Sequence, residues 1–336
     1  MSVTTDNPAP AGPSRLEGFL VNGGVVLVLL VLVVAVSAAV EPRFLNKLNL
    51  MNMGRNFAFL AIPALAQMLV MTTGGFDLSL GAVVASGSVV SALVMRSMGA
   101  DLPEAGVAPV LAALAAALAL GLAIGAFNGW LVARFNISAF MVTLATASAI
   151  VGVVLFQTQG IPIYGVSEGF IDLIGRGRIG PVPYVALIAL ALVALGIVMQ
   201  RGTRFGRHIY AVGSDARAAL LSGVPRAKVL IATYALAGAL AGVTGFLMTA
   251  RLGSGQGTIA ETLAMQTIAA AVIGGVSLRG GVARAELVAL AALFLTVMAN
   301  AMNLMRIDSK FQTLVLGLVL LGALALERLV LREKTE

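Results

Sequence analysis

The chain has 336 residues, of which 59% are hydrophobic and only 11% are charged. A soluble domain carries about 25% charged residues, so this composition excludes a soluble globular protein and indicates an integral membrane protein. The sequence has no cysteine, one histidine and no lysine directly after a glycine. It therefore also excludes thiolate chemistry, multi-histidine metal sites and a Walker A phosphate loop.

Ten runs of sixteen or more residues contain no Asp, Glu, Lys or Arg. Each run is a candidate membrane helix, because a span needs about 20 apolar residues and backbone groups in lipid must be satisfied within the segment. The sequence therefore predicts an all-α integral membrane protein of about ten transmembrane helices, some of them broken or re-entrant. The runs are 18–40, 56–76, 78–95, 105–133, 135–167, 179–200, 229–250, 262–278, 287–305 and 311–326.

With ten spans and both termini cytoplasmic, 13 basic residues lie on the cytoplasmic side and nine on the outer side. This excess on the cytoplasmic side agrees with the positive-inside rule. This topology gives a tail over 1–17, one transmembrane domain over 18–328 and a second tail over 329–336. The first run is expected to be an uncleaved helix rather than a signal peptide. Segment 41–55 fits less well, since it holds three basic residues outside. It is either an interfacial helix or a sign that the early topology differs.

The longest hydrophilic interruption is 201–228, with six basic residues against the single acid Asp215. It is expected to be cytoplasmic. Two interpretations are open: an anchor that contacts anionic lipid headgroups, or a docking surface for a soluble partner. Composition alone favours the anchor. The net charge of +7 is concentrated here rather than on an extended basic face, so nucleic-acid binding is not expected.

Two glycine ladders stand out at four-residue spacing, Gly121, Gly125 and Gly129 in one run and Gly238 and Gly242 in another. Such spacing allows helix backbones to approach closely. Ordinary packing within the bundle is the favoured interpretation, ahead of a dimerisation site.

The segments 74–81 and 274–281 share a Gly-Gly-x-polar-Leu pattern in the two halves of the chain. Paired glycine-interrupted segments in a transporter indicate broken helices beside a substrate site. Asp77 either caps a helix that begins at Leu78 or contacts the substrate, and the two roles are compatible.

Uncharged polar side chains are scattered through the spans. They can hydrogen-bond a neutral polyhydroxylated solute or a neighbouring helix. Acids lie only near the ends of the spans. Carriers coupled to protons or sodium commonly place acids or histidine within the membrane as relays, so this pattern disfavours an ion-coupled carrier. The polar residues are Gln67, Asn128, Thr143, Thr146, Gln157, Gln266, Thr267, Asn300 and Asn303, and the acids are Asp77, Glu261 and Glu286.

Three stretches carry a resemblance when they are taken together. The first is Gly74–Ala85, with the pattern Gly-Gly-hydrophobic-Asp-Leu-Ser-x-Gly. The second combines Asn128–Val132 with Phe140–Thr146, and the third combines Thr203–Gly213 with Ala218–Val224. Further matches lie in Ala271–Gly281 and Asn300–Leu304. Over roughly residues 20–328 the chain resembles the permease subunits of bacterial ABC importers for ribose, xylose and related small sugars.

The resemblance implies a multi-pass permease of the bacterial inner membrane that moves a small sugar or polyol inward by alternating access. It also implies a second or sister permease copy, cytoplasmic ATP-binding subunits that hold ATP and Mg²⁺, and a periplasmic sugar-binding protein. The chain itself is then not an enzyme and holds no cofactor. The loop 213–224 becomes the segment that couples to the ATPase, which reverses the preference for a plain lipid anchor.

The candidate residues follow from the polar set and from the resembling motifs. The translocation-path candidates are Gln67, Phe76, Asp77, Ser79, Asn128, Phe140, Thr143, Thr146 and Asn300, and the coupling-loop candidates are Gly213, Asp215, Arg217, Ala218, Ala219, Ser222 and Gly223. The sequence departs from the family pattern at Arg217, Leu220 and Ala283. The rivals are a stand-alone secondary carrier or channel, a membrane enzyme, and the same ABC fold carrying a nucleoside or signalling furanose.

Overall fold

The computed structural model describes residues 23–101, 106–259, 262–308, 310–318 and 321–322. Its named helices, numbered here in chain order, are α1 Val25–Val40, α2 Lys47–Thr72, α3 Leu80–Ser97, α4 Ala108–Phe135, α5 Ala139–Thr158, α6 Tyr184–Gly202, α7 Arg204–Ser214, α8 Ala216–Leu221, α9 Arg226–Leu252, α10 Leu263–Ile273 and α11 Ala285–Leu304. Between α5 and α6 lie a helical turn, Glu168–Phe170, a π-helix, Ile171–Arg176, and a small antiparallel hairpin of Arg178–Ile179 with Val182–Pro183.

The all-α membrane architecture is confirmed. Seven helices in the described part of the chain are long and apolar enough to cross a membrane, namely α2, α3, α4, α5, α6, α9 and α11. The runs 18–40 and 262–278 contain the shorter apolar helices α1 and α10. The last run, 311–326, is helical over 310–318, and its remainder lies partly outside the described residues. The two terminal tails also lie outside them, so their cytoplasmic location stays a prediction.

Buried side chains show which helices are central. α2 is buried along its whole length from Phe57 to Thr72, and α3 and α9 are largely buried as well. α5, by contrast, exposes most of its residues, and so does α1. The core is therefore a bundle around α2, α3 and α9, with α1 and α5 at its periphery.

The two glycine ladders pack against each other within the chain. A Cβ added at Gly121 would lie 2.1 Å from the Gly238 carbonyl oxygen, and one added at Gly242 would lie 2.2 Å from the Ala117 carbonyl oxygen. No side chain larger than hydrogen fits at these crossings. The bundle-packing interpretation is confirmed, and α4 and α9 are held by van der Waals contact between their backbones.

The loops meet at two ends of the bundle, as the alternation of spans predicts. At one end, called the basic end because it carries 201–228, Arg201 pairs with Glu286 and Arg226 contacts Asn136. At the opposite end, a β-bridge joins Ile163 to Gly255. Segments that are distant in sequence are thereby brought together at the basic end.

The segment 41–55 corrects one expectation, because it forms no separate interfacial helix. α2 begins at Lys47 and runs without interruption to Thr72. The Asn46 side chain accepts the Leu48 N–H at 3.2 Å and so caps this start. The basic residues Lys47 and Arg55 therefore belong to the first turns of a spanning helix at the opposite end.

Candidate functional site

The break between α2 and α3 forms the centre of the candidate site. The chain leaves α2 at Thr72 and enters α3 at Leu80, two residues later than predicted. Gly74 adopts a φ of +81°, a left-handed conformation that favours glycine. The break therefore turns the chain sharply and leaves residues 73–79 non-helical inside the bundle.

Asp77 is buried and bonded locally within this break. Its Oδ1 accepts the Ser79 backbone N–H at 2.8 Å and the Ser79 hydroxyl at 2.6 Å. Because Ser79 directly precedes the first residue of α3, the carboxylate supports the start of that helix, as a capping residue would. Its side chain is 1% exposed, so the carboxylate lies inside the protein and not at its surface.

A chain of hydrogen bonds continues from Ser79 to two other helices. The Asn128 Nδ2 of α4 donates to the Ser79 hydroxyl at 3.0 Å, and the Thr146 hydroxyl of α5 donates to Asn128 Oδ1 at 2.7 Å. Asn128 is fully buried. One amide thus ties α3, α4 and α5 together at the level of the break.

The backbone on the other side of Asp77 is held by hydroxyl groups. The Thr143 hydroxyl accepts the Leu78 N–H at 3.0 Å, and the Tyr234 hydroxyl donates to the Phe76 carbonyl oxygen at 3.3 Å. Tyr234 was missed by the sequence analysis. The usable signal was its position in an apolar span four residues before Gly238 in the glycine ladder.

Six of the nine path candidates therefore form one connected group, called the polar cluster. Its members are Phe76, Asp77, Ser79, Asn128, Thr143 and Thr146. The cluster is rich in amide and hydroxyl groups, which both donate and accept hydrogen bonds and so match the hydroxyl groups of a neutral solute. Phe140 lies beside it, one turn before Thr143, with its side chain 52% exposed.

Two path candidates lie elsewhere. Asn300 of α11 exchanges two hydrogen bonds of 2.9 Å with Asn49 of α2, which makes a closed amide pair near the opposite end. Gln67 is fully buried in α2, and neither polar atom of its side chain has a hydrogen-bond partner among the described residues. Asn49 was not predicted, since nothing in the sequence indicates which amides face each other.

The coupling-loop candidates form two short helices at the basic end. Asp215 Oδ1 accepts the N–H groups of Arg217 and Ala218 at 2.8 and 2.9 Å and thereby caps α8. Within α8 only Ala219 is buried, while Leu220 and Leu221 are 61% and 85% exposed. The helix ends at Ser222 and Gly223, whose φ of +81° lets the chain turn back. α8 thus presents an apolar pair on the outside of the molecule.

The coupling loop is packed directly against both glycine-interrupted segments. The Gly281 N–H donates to the Thr72 carbonyl oxygen at 2.9 Å. A Cβ added at Gly213 would lie 1.8 Å from that same oxygen, and one added at Gly280 would lie 2.8 Å from the Gly213 oxygen and from the Gly74 nitrogen. This backbone-to-backbone contact of 72–74, 213–214 and 279–281 is called the glycine junction. It joins the coupling loop to the segment that carries Asp77.

A second set of contacts fixes the base of the loop. The Gln200 side chain donates to the Ala283 carbonyl oxygen at 2.9 Å and accepts the Ala285 N–H at 3.0 Å. The Tyr210 hydroxyl donates to the same Ala283 oxygen at 2.6 Å. Burial, followed by the nearby Glu286 carboxylate, raises the pKa of Tyr210 to about 12, so the phenol stays protonated at neutral pH. The second break is therefore attached to α6 and α7 as well.

Comparison with known proteins identifies the family. The family model described as "Branched-chain amino acid transport system / permease component" matches residues 49–324. The chain is 38% identical to the ribose import permease protein RbsC of Bacillus subtilis, over 94% of this chain and 95% of that protein. It is 32% identical to the galactose/methyl galactoside import permease protein MglC of Escherichia coli, over 93% and 95%, and 30% identical to the D-allose transport system permease protein AlsC of the same species, over 90% of each.

No solved structure gives a significant match to the chain. The family model spans most of the sequence, and the curated relatives match it nearly from end to end. The glycine-interrupted segments, the polar cluster and the coupling loop all lie within the matched region. The chain therefore belongs to this permease family, as a multi-pass sugar permease of the ABC importer type.

Proposed function

We propose that the chain is the membrane-spanning subunit of an importer that carries a small neutral sugar or polyol into the bacterial cytoplasm across the inner membrane. The observation that carries the proposal is the glycine junction, because it joins an exposed loop helix to the broken helix that holds the polar cluster. The relatives named for ribose, galactose and allose support the substrate class.

The basic end is proposed to face the cytoplasm, where α8 docks on an ATP-binding subunit. Six basic residues in 201–228 agree with this orientation. ATP and Mg²⁺ bind to that partner. This chain contributes the exposed side chains of Leu220 and Leu221, which pack into an apolar groove on the surface of the partner. Closure of the ATP-binding subunits then displaces α8, and the glycine junction passes the displacement to residues 72–79.

At the opposite end, a periplasmic sugar-binding protein is proposed to deliver the substrate. Two permease copies enclose the path, which alternates between its two open sides. Amide and hydroxyl groups of the polar cluster exchange partners with the sugar hydroxyl groups as it passes. Because the sugar itself is neutral, its passage brings no additional charge into the protein.

Reconstitution tests the proposal against a stand-alone carrier or channel. Proteoliposomes would contain the chain alone, or the chain with its ATP-binding subunit and binding protein, with radiolabelled D-ribose, D-allose and D-galactose as probes. We expect uptake only in the complete complex with ATP. Uptake by the chain alone, with or without an ion gradient, would refute the ABC mechanism. Uptake of nucleosides in place of sugars would refute the substrate class.

The Leu221→Asp variant tests the role of α8. A carboxylate placed in an apolar docking groove must be desolvated, so we expect ATP-driven uptake to fall at least tenfold. Leu48→Asp is the matched control, because Leu48 is also exposed, at 68%, but lies at the opposite end. Normal uptake by Leu221→Asp would contradict the docking role.

A further inference from the structure

A cavity of about 270 Å³ opens at the opposite end between α2, α9 and α10. Its lining includes Asn56 and Phe59 of α2, Arg251 of α9, and Thr262 and Gln266 at the start of α10. A cavity needs roughly 10–15 Å³ to hold one water molecule, so this one has room for a solute of monosaccharide size. We call this cavity the vestibule.

The polar groups of the vestibule are free to bind a solute. The side chains of Asn56, Thr262 and Gln266 make no hydrogen bond to another described residue. Arg251 places its guanidinium 5.5 Å from the centre of the Phe59 ring and forms no ion pair within the described part of the chain. Amide, hydroxyl and guanidinium groups therefore converge beside an aromatic wall, which is the usual composition of a small-molecule site.

Gln67 lies deeper on the same face of α2. It follows Leu60, another lining residue, by seven positions, which is close to two helical turns and about 10 Å along the axis. Ala64 lies between them on that face and is small and fully buried. Both polar atoms of the Gln67 amide are buried and unpaired among the described residues. An unpaired amide destabilises a fold, so its presence calls for a functional reason.

α10 connects the vestibule to the glycine junction. It begins at the vestibule with Leu263, one residue after Thr262, and ends at Ile273. The second break follows directly and carries Gly280 and Gly281 of the junction. One short helix therefore connects the wall of the vestibule to the segment that contacts the coupling loop.

We propose that the vestibule binds a neutral monosaccharide as it arrives, and that Gln67 is the next polar contact on its way inward. The proposal rests on the proposed function, which places the opposite end on the periplasmic side. Asn56 and Gln266 bond the sugar hydroxyl groups, and so does the Arg251 guanidinium, which lies over the buried Phe59 ring. The Gln67 amide finds its hydrogen-bond partners only when the sugar reaches it.

The Gln67→Leu variant separates this role from a structural one. Leucine removes an unpaired amide, so the unfolding temperature of the purified complex is expected to rise while ATP-driven D-ribose uptake falls at least tenfold. Gln157→Leu is the control, because Gln157 is an exposed glutamine of α5 and should leave uptake unchanged. A structural role for Gln67 would lower stability and uptake together. Uptake unchanged in Gln67→Leu would overturn the proposal, and so would a lower unfolding temperature.

Cysteine labelling tests the vestibule without relying on transport. The chain has no cysteine, so Asn56→Cys gives it a single site for a water-soluble maleimide; the intact complex is labelled, and the label is then counted on this chain after its subunits are separated on a denaturing gel. We expect saturating D-ribose, D-allose or D-galactose to slow this labelling several-fold, and to leave Ser97→Cys, an exposed control at the same end, unaffected. If no sugar slows the labelling while the wild-type complex transports sugar, the vestibule proposal fails and the proposed function stands. If the wild-type complex transports none, the proposed function itself fails.

Discussion

Replacing Gly213 by alanine should disconnect the coupling loop from the broken helices. The added Cβ would lie 1.8 Å from the Thr72 carbonyl oxygen and 2.7 Å from the Gly281 nitrogen, and Cβ contacts under 3.0 Å essentially never occur. Both neighbours are backbone atoms, so no flexible side chain can give way. The loop and the break must therefore separate by about 1 Å or more, which also stretches the 2.9 Å hydrogen bond from the Gly281 N–H to Thr72.

The cost of this substitution can be worked from its parts. Overpacking costs about 1–3 kcal/mol, and the weakened hydrogen bond adds about 0.5–1.5 kcal/mol. The higher helix propensity of alanine offsets about 1 kcal/mol of this cost, because Gly213 lies in the last turn of α7. The net destabilisation of roughly 0.5–3.5 kcal/mol is small enough for the complex to assemble. The larger effect is expected on coupling, because the contact that transmits the displacement is the one that opens.

Sugar uptake and ATP hydrolysis should be measured in parallel on the reconstituted complex. For Gly213→Ala we expect uptake to fall at least tenfold, a loss that corresponds to about 1.4 kcal/mol. ATP hydrolysis should stay within about twofold of wild type. Gly202→Ala is the matched control at the basic end, because Gly202 has no positive φ and a Cβ added there would meet no atom nearer than 3.9 Å. Gly152→Ala controls for the higher helix propensity of alanine, because Gly152 lies within α5 and a Cβ added there has no atom within 4 Å. An unchanged ratio of uptake to hydrolysis in Gly213→Ala would refute the reasoning.

Two further substitutions separate the polar cluster from the amide pair. Asn128→Leu breaks the links from Ser79 to Thr146, so uptake is expected to fall at least tenfold, and assembly of the complex is checked by gel filtration. Asn300→Leu leaves the Asn49 amide buried with one partner lost, which should cost about 1–3 kcal/mol in thermal unfolding without slowing uptake per folded complex. The double variant with Asn49→Leu should recover most of that stability, and no recovery would contradict the pairing.

The parts of the fold that the sequence predicted correctly depend on local signals. A run without charges predicts a span because lipid excludes ionised groups, and this holds wherever the run lies. The diglycine at Gly74 and Gly75 predicts a break because the left-handed turn there suits glycine. The polar cluster followed in part, since Asp77 and Ser79 are neighbours in sequence and Asn128 and Thr146 were recognised as polar residues within spans.

The pairing of distant residues was not predictable in the same way. Asn300 and Gln67 look alike in sequence, as amides flanked by apolar residues within a helix. The structure gives Asn300 a closed pair with Asn49, 251 positions away, and leaves Gln67 without a partner among the described residues. Which amide is structural depends on how two helices are rotated and shifted against each other. No periodicity within one helix carries that information.

The glycine junction explains why two weak motifs are informative together. Gly74, Gly213 and Gly280 belong to three different segments, and none of them alone would indicate a contact with the others. In the structure an added Cβ at Gly213 or Gly280 would meet backbone atoms of the other segments, and the positive φ of Gly74 and Gly280 disfavours a side chain there independently. At Gly213 and Gly280 the three-way contact excludes a side chain, whereas at Gly74 the backbone conformation favours glycine. Because that contact lies between the exposed helix α8 and the buried Asp77, a substitution at any of the three should alter coupling more than it alters folding.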